Sequence, residues 1–209
     1  MGKKLLIYAL PLVVVGALAW LTLAPRTARP VEIGESVPNF TLPLAQGAEG
    51  KSVRLADFRG HVLVLNFWAT WCPPCVVETP SLESFAEKVK PLGVVVLGAS
   101  EDEDPAALAA FVSKYHLTFL IVRDPARALA TRYGTLQFPE TYIIDRDGRL
   151  AEKIISNTDW EDPRMLAFIR ELAEPGRQQA SDRPRAPRLI CSYGRGSGAG
   201  SQGLVGGAQ

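Results

Sequence analysis

The stretch NFWATWCPPCVVETP, residues 66–80, places Cys72 and Cys75 three positions apart, with Pro73 and Pro74 between them and Trp68 and Trp71 just before. Close cysteines serve structural disulfides, metal sites and redox couples, and the surrounding pattern separates these uses. The apolar run HVLVLNFWA (61–69) reads as a short buried strand. Beyond the cysteines, Leu82, Phe85 and Val89 recur at helical spacing and share one face. The pair therefore falls in a strand-to-helix turn, with Cys72 ending the loop and Cys75 in the first helical turn. Residues three apart on a helix lie on one side, where disulfide geometry can be met. Free N–H groups and the helix dipole stabilise a thiolate at the helix N-terminus. This predicts an exposed, attacking Cys72 and a resolving Cys75. Pro80 is expected to kink the helix or delay its regular part.

The rival uses of close cysteines find less support. A structural zinc site takes four ligands, whereas Cys191 stands alone near the C-terminus and His61 and His116 are isolated, so no metal site is expected. A static disulfide closing so small a loop would stabilise little. A copper-carrying module using both cysteines and one histidine stays open as a non-enzymatic alternative.

Working outward, VPNFTLPL (37–44) and KSVRLADF (51–58) alternate like strands around a turn-rich AQGAEG. GVVVLGAS (93–100) and TFLIV (118–122) are further strands, with a helix over 105–116 between them and a short helix over 125–134 closed by Gly134. TYIID (141–145), the turn RDG and RLAEKII (149–155) form a hairpin. An amphipathic helix over 161–174 follows. The order argues for an α/β sheet with parallel strands and one antiparallel edge.

The ends differ from this middle. Lys3 and Lys4 precede an uncharged, mostly apolar run from Leu5 to Ala24, close to the roughly 20 residues that span a membrane. Residues 1–24 are read as a membrane anchor or signal segment, with ALA (17–19) a possible cleavage site for the latter. Arg26 and Arg29 nearly balance Lys3 and Lys4, and the start amine tips the count toward an inside N-terminus, which puts the rest outside the cytoplasm. Residues 25–34 read as a linker. Residues 175–209, rich in Gly, Arg, Ser and Pro, are expected to be disordered. The 209 residues carry a formal net charge of +1, which gives no reason to expect nucleic acid.

FWATWCPPC resembles the active-site segment of the thioredoxin superfamily. VPNFTL, VVVLGAS and FPETYIIDRDGRL (138–150) narrow the likeness to the TlpA/ResA/CcmG group of membrane-anchored, extracytoplasmic thiol–disulfide oxidoreductases, over about residues 35–174. The resemblance implies an α/β thioredoxin fold: a central mixed sheet flanked by helices, with an N-terminal hairpin and a helix–strand insertion. It implies Cys72 and Cys75 as nucleophilic and resolving cysteines, and Trp68 and Trp71 as flanking aromatics. Pro139 matches the proline that is cis in the superfamily, with Phe138 before it facing an extended substrate. Glu78 matches an acidic residue of the active-site helix that could raise the thiol pKa and carry a proton. Glu140 is expected to add negative charge to the same face. Leu136-Gln137-Phe138 stand where the CcmG branch usually has a small residue, and the Arg- and Cys-bearing tail matches nothing in the group.

The function so implied is reduction of protein disulfides, apocytochrome c among them, by a domain tethered to the bacterial inner membrane in the periplasm. A membrane electron donor would restore the dithiol, and no cofactor beyond the redox disulfide is expected. A peroxiredoxin-like thiol peroxidase is the enzymatic alternative, because VPNFTLP also resembles the start of that group; here, however, Thr70 lies two residues before Cys72 where peroxidases place it three before. Pro73 and Pro74 lack N–H donors and Glu78 adds negative charge, so the Cys72 thiol is expected to titrate at or above about 7 and the couple to be reducing.

Overall fold

In the computed structural model, which describes residues 29–45 and 50–174, the predicted first hairpin is β1 (Thr41–Pro43) paired antiparallel with β2 (Ser52–Arg54). Residues 55–58, expected to extend the second strand, instead form a 3-10 turn whose Leu55 and Phe58 are buried. The apolar runs become β3 (Val62–Trp68) and β4 (Val94–Ser100), parallel neighbours with α1 (Pro73–Val89) between them. α2 (Pro105–Tyr115) and β5 (Leu120–Arg123) supply the helix–strand insertion. α3 (Ala128–Tyr133) ends at Gly134, whose φ of 74° is the left-handed conformation that favours glycine. The hairpin β6 (Glu140–Ile144) and β7 (Leu150–Ile155) and the last helix α4 (Pro163–Ala173) complete the chain.

The main sheet has the order β5-β4-β3-β6-β7. Its one strand running against the others is β6, which lies between β3 and β7 rather than at the edge. The reason is the hairpin: β7 turns back beside β6 and itself becomes the edge. Strand side chains alternate between two cores. On one face Val62, Val64, Val96 and Ile143 meet Leu82, Phe85 and Val89 of α1 and Met165, Phe168 and Ile169 of α4. On the other, Leu63, Leu65, Phe67, Tyr142 and Ile144 meet Phe40, Phe58 and the α3 residues Leu129 and Tyr133.

α1 begins at Pro73 and continues through Pro80, so that proline does not delay the helix. Pro80 sits on the exposed side, while the buried stripe of Leu82, Phe85 and Val89 holds the segment against the sheet. The N-terminal segment is tied down earlier than the expected linker boundary. Val31 is buried and its N–H reaches the Tyr133 carbonyl. Gly34 and Glu35 exchange backbone hydrogen bonds with Leu150 at 2.7 and 2.8 Å, and Ser36 bridges Arg149. At the opposite edge Leu44 bridges Val122, and Ala45 N–H donates to Ile121 at 2.8 Å. The expected anchor over 1–24 and the tail with Cys191 lie outside the described residues. Among those described, no helix is long and apolar enough to cross a membrane.

Candidate active site

Cys72 and Cys75 form a disulfide at the start of α1, their Cα atoms 5.3 Å apart. Cys72 is the N-cap in extended conformation, and Pro73 and Pro74 occupy the first two helical positions. Cys75 is thus the first helical residue with an N–H, and that N–H donates to Cys72 Sγ at 3.3 Å. Cys72 itself is only 5% exposed and Cys75 2%, which corrects the expectation of an exposed Cys72. The reason is that Cys72 packs into the core cluster beside α1, while the residues around it reach solvent: Trp71 is 63% exposed.

Asp102, just past β4, holds the loop that carries the pair. Its carboxylate accepts from Thr70 N–H at 3.1 and 3.2 Å, from Thr70 Oγ1 at 2.5 Å and from Ser100 Oγ at 2.8 Å. Asp102→Ala should strand the Thr70 N–H and cost about 2 kcal/mol, read as a lower urea midpoint at unchanged slope. A midpoint within error of the wild type would refute this.

Glu78 lies one turn beyond Cys75 and is buried. Oε1 accepts from the Trp160 indole Nε1–H at 2.7 Å and from Thr158 N–H at 3.2 Å; Oε2 accepts from Asn66 Nδ2 at 3.4 Å. Asn66 in turn donates to Thr141 Oγ1 at 2.8 Å. Burial pushes the Glu78 carboxyl up to about 7, against the pull of these donors, Trp160 foremost. A carboxyl poised there can give or take a proton at neutral pH.

The Phe138–Pro139 peptide is cis. The Phe138 ring, half-buried, meets the Trp71 ring edge-on at 6.2 Å. Arg127 stacks its guanidinium over the other aromatic, 4.8 Å from the Phe138 centroid. Two predicted site residues stand apart. Trp68 is 3% exposed and packs on Phe111 of α2 at 5.2 Å, because strand alternation turns it to the α1 face, where the inserted helix covers it. Gly98 leaves room for its indole: a Cβ there would come 2.7 Å from Nε1. Glu140 is also buried, on the opposite sheet face. It accepts from Tyr142 OH at 2.8 Å and pairs with Lys153, so it adds no charge beside the cysteines. Its Oε2 accepts from Leu136 N–H at 3.3 Å, tying down the loop that leads to Phe138.

Sequence reasoning missed Asn66, Asp102, Arg127, Thr158 and Trp160. Only Asn66 carried a local signal: a lone amide inside an apolar strand must find a partner when buried. Among the described residues, no group of three or more His, Cys, Asp or Glu could hold a metal ion.

A sequence profile described as the AhpC/TSA family matches residues 33–153. The thiol-disulfide oxidoreductase ResA of Bacillus thuringiensis subsp. konkukian is 36% identical over 124 residues, which is 59% of this chain and 70% of that protein. The thiol:disulfide interchange protein DsbE of Pseudomonas aeruginosa is 34% identical over 167 residues, covering 79% of this chain and 87% of that one. Among solved structures, a secreted Mycobacterium tuberculosis disulfide oxidoreductase homologous to E. coli DsbE superposes with a TM-score of 0.52 at 28% identity, over 59% of this chain and 90% of that one.

Proposed function

Because the chain belongs to the AhpC/TSA family, and within it to the thiol–disulfide oxidoreductases of the ResA and DsbE kind, we propose that it works as a reductant of protein disulfides outside the cytoplasm. The observation that carries this reading is the Cys72–Cys75 pair at the start of α1 with a buried carboxyl one turn below. In the reduced protein, the Cys72 thiolate attacks one sulfur of the substrate disulfide. A mixed disulfide forms and the first substrate thiolate leaves, taking a proton. Cys75, deprotonated with Glu78 as acceptor, then attacks Cys72 Sγ and expels the second substrate thiolate. Two electrons pass to the substrate and the protein is left with the Cys72–Cys75 disulfide, which is the redox couple of the reaction. Trp71, Phe138 and Pro139 form the wall against which the substrate segment lies.

The wider setting belongs to the same proposal. Residues 1–24 tether the domain to the bacterial inner membrane, a membrane donor restores the dithiol, and apocytochrome c is among the substrates. The direction of electron flow rests on local chemistry. Pro73 and Pro74 leave Cys75 N–H as the first helical donor to the Cys72 sulfur, and fewer donors stabilise a thiolate less. A less stabilised reduced state makes a more reducing couple. Equilibration of the full chain against glutathione should give a potential well below the roughly −120 mV of a strong oxidant. Replacing Pro73 by alanine should move it upward. A wild-type potential near that of a strong oxidant would mean that the protein inserts disulfides. Peroxide turnover without disulfide reduction would favour the thiol-peroxidase alternative.

A further inference from the structure

We propose that Arg127 is a specificity-determining residue of the exchange site, presenting its guanidinium to a carboxylate beside the disulfide of an extended substrate polypeptide. The inference rests on the reductase reading and names the kind of substrate that the site prefers. Arg127 lies just before α3 in the left-handed conformation, φ 56°. Its guanidinium covers the Phe138 ring, which adjoins Trp71 and so borders the cysteine loop. Cation–π contact fixes the group without consuming its hydrogen-bonding edge. The side chain is 53% exposed. The loops 69–75 and 135–139 carry no charged residue. The guanidinium therefore brings a positive charge to a wall that is otherwise neutral, with Trp71 and Leu136 its exposed large apolar members.

The partner of Arg127 inside the protein is weak. Its Nε lies 3.8 Å from Glu101 Oε2, beyond hydrogen-bond length. Neither Glu101 oxygen has a hydrogen-bond partner, and the side chain is wholly buried. The groups facing Glu101 are Asp102 on its own strand end, Asp124 after β5 and Arg127 before α3. Arg123 of β5 is turned to the Asp102 and Glu103 carbonyls. Burial, with Asp124 second, pushes the Glu101 carboxyl up to about 8 against the opposing pull of Arg127. At neutral pH Glu101 is mostly uncharged, and the positive charge of Arg127 is available to an outside anion. Above about 8 Glu101 ionises and neutralises it from behind.

Two synthetic peptides with one internal disulfide, identical except for Asp or Lys beside the cysteine, test this with the reduced full chain. At low salt and pH 7 the Asp peptide should react about fivefold faster in kcat/KM. The ratio should approach one in 1 M salt. Arg127→Glu should invert it; because the comparison is internal, a general loss of rate does not obscure the result. If that variant fails to fold, the salt series on the wild type decides. The ratio should also shrink as pH rises through about 8, and Glu101→Gln should abolish that decline. Equal rates on both peptides, insensitive to salt, would overturn the role of Arg127 and leave the reductase reading standing. Reduction of neither peptide would overturn both.

Discussion

Cys72→Ser abolishes disulfide reduction, and Cys75→Ser traps substrate as a mixed disulfide: this is the expected result with the largest effect on activity. In the oxidised protein both cysteines are buried, at 5% and 2% residue exposure, so burial of the residue does not distinguish them. Position does. Cys72 caps α1, and its sulfur accepts the first free amide of the helix from Cys75. A thiolate there feels the positive end of the helix, whereas Cys75 lies a turn inside. Without Cys72 no nucleophile meets the substrate. Without Cys75 the first exchange proceeds and the second cannot. Alkylation of the reduced protein followed by peptide mapping checks the assignment. Faster modification of Cys75 than of Cys72 would reverse the two roles.

The second large effect belongs to Glu78 and appears first in stability. Its carboxyl titrates near 7 in the folded protein against 4.5 in the unfolded chain. The folded state therefore holds a proton that the unfolded chain releases between those values. The associated stability is complete below about 4.5 and is lost as pH rises through about 7, a change of about 3 kcal/mol. Glu78→Gln keeps the shape and an acceptor for Trp160 but cannot ionise. At pH 8 the variant should be the more stable protein by up to about 3 kcal/mol, and at pH 5 the two should nearly coincide. Urea unfolding at both values measures this, and comparison with the variant cancels the other titrating groups. The variant should also lose a pKa near 7 from its pH–rate profile and turn over more slowly at neutral pH. An equal stability difference between wild type and variant at pH 5 and pH 8 would show that Glu78 is not buried as a neutral acid.

The order of elements along the chain, both hairpins and the position of the cysteine turn were legible because apolar runs and turn residues are local signals; the place of the antiparallel strand inside the sheet was not, because it depends on pairing across the fold. The cysteine pair was legible because spacing along one helix fixes which residues share a side, whereas Glu78 stood out only through the family resemblance. What failed was side-chain direction at strand ends. Trp68 lies four residues before Cys72 and Glu140 follows Pro139, yet each turns into the core: Trp68 under α2, Glu140 toward Lys153. Parity of alternation, counted from Val64 for Trp68, would have placed the first correctly. The second depends on how the Phe138–Pro139 loop enters β6. The buried Glu101 belongs to the acidic run EDED (101–104), whose composition carries no sign of burial. Only its position one residue past β4, beside Arg127, sets it apart.

The N-terminal segment has a consequence for biosynthesis. It binds Leu150 at one margin of the sheet and Ile121 and Val122 at the other. These residues are made well before their pairing partners, which lie about 75 to 115 positions further along the chain. A nascent chain halted before residue 150 would carry β6 paired to β3 but without β7 on its other side, and a row of backbone donors and acceptors would lie open to any passing strand. Closure of the Leu150 margin thus follows closure of the Val122 margin, and a holdase that binds extended apolar segments would guard the interval between them.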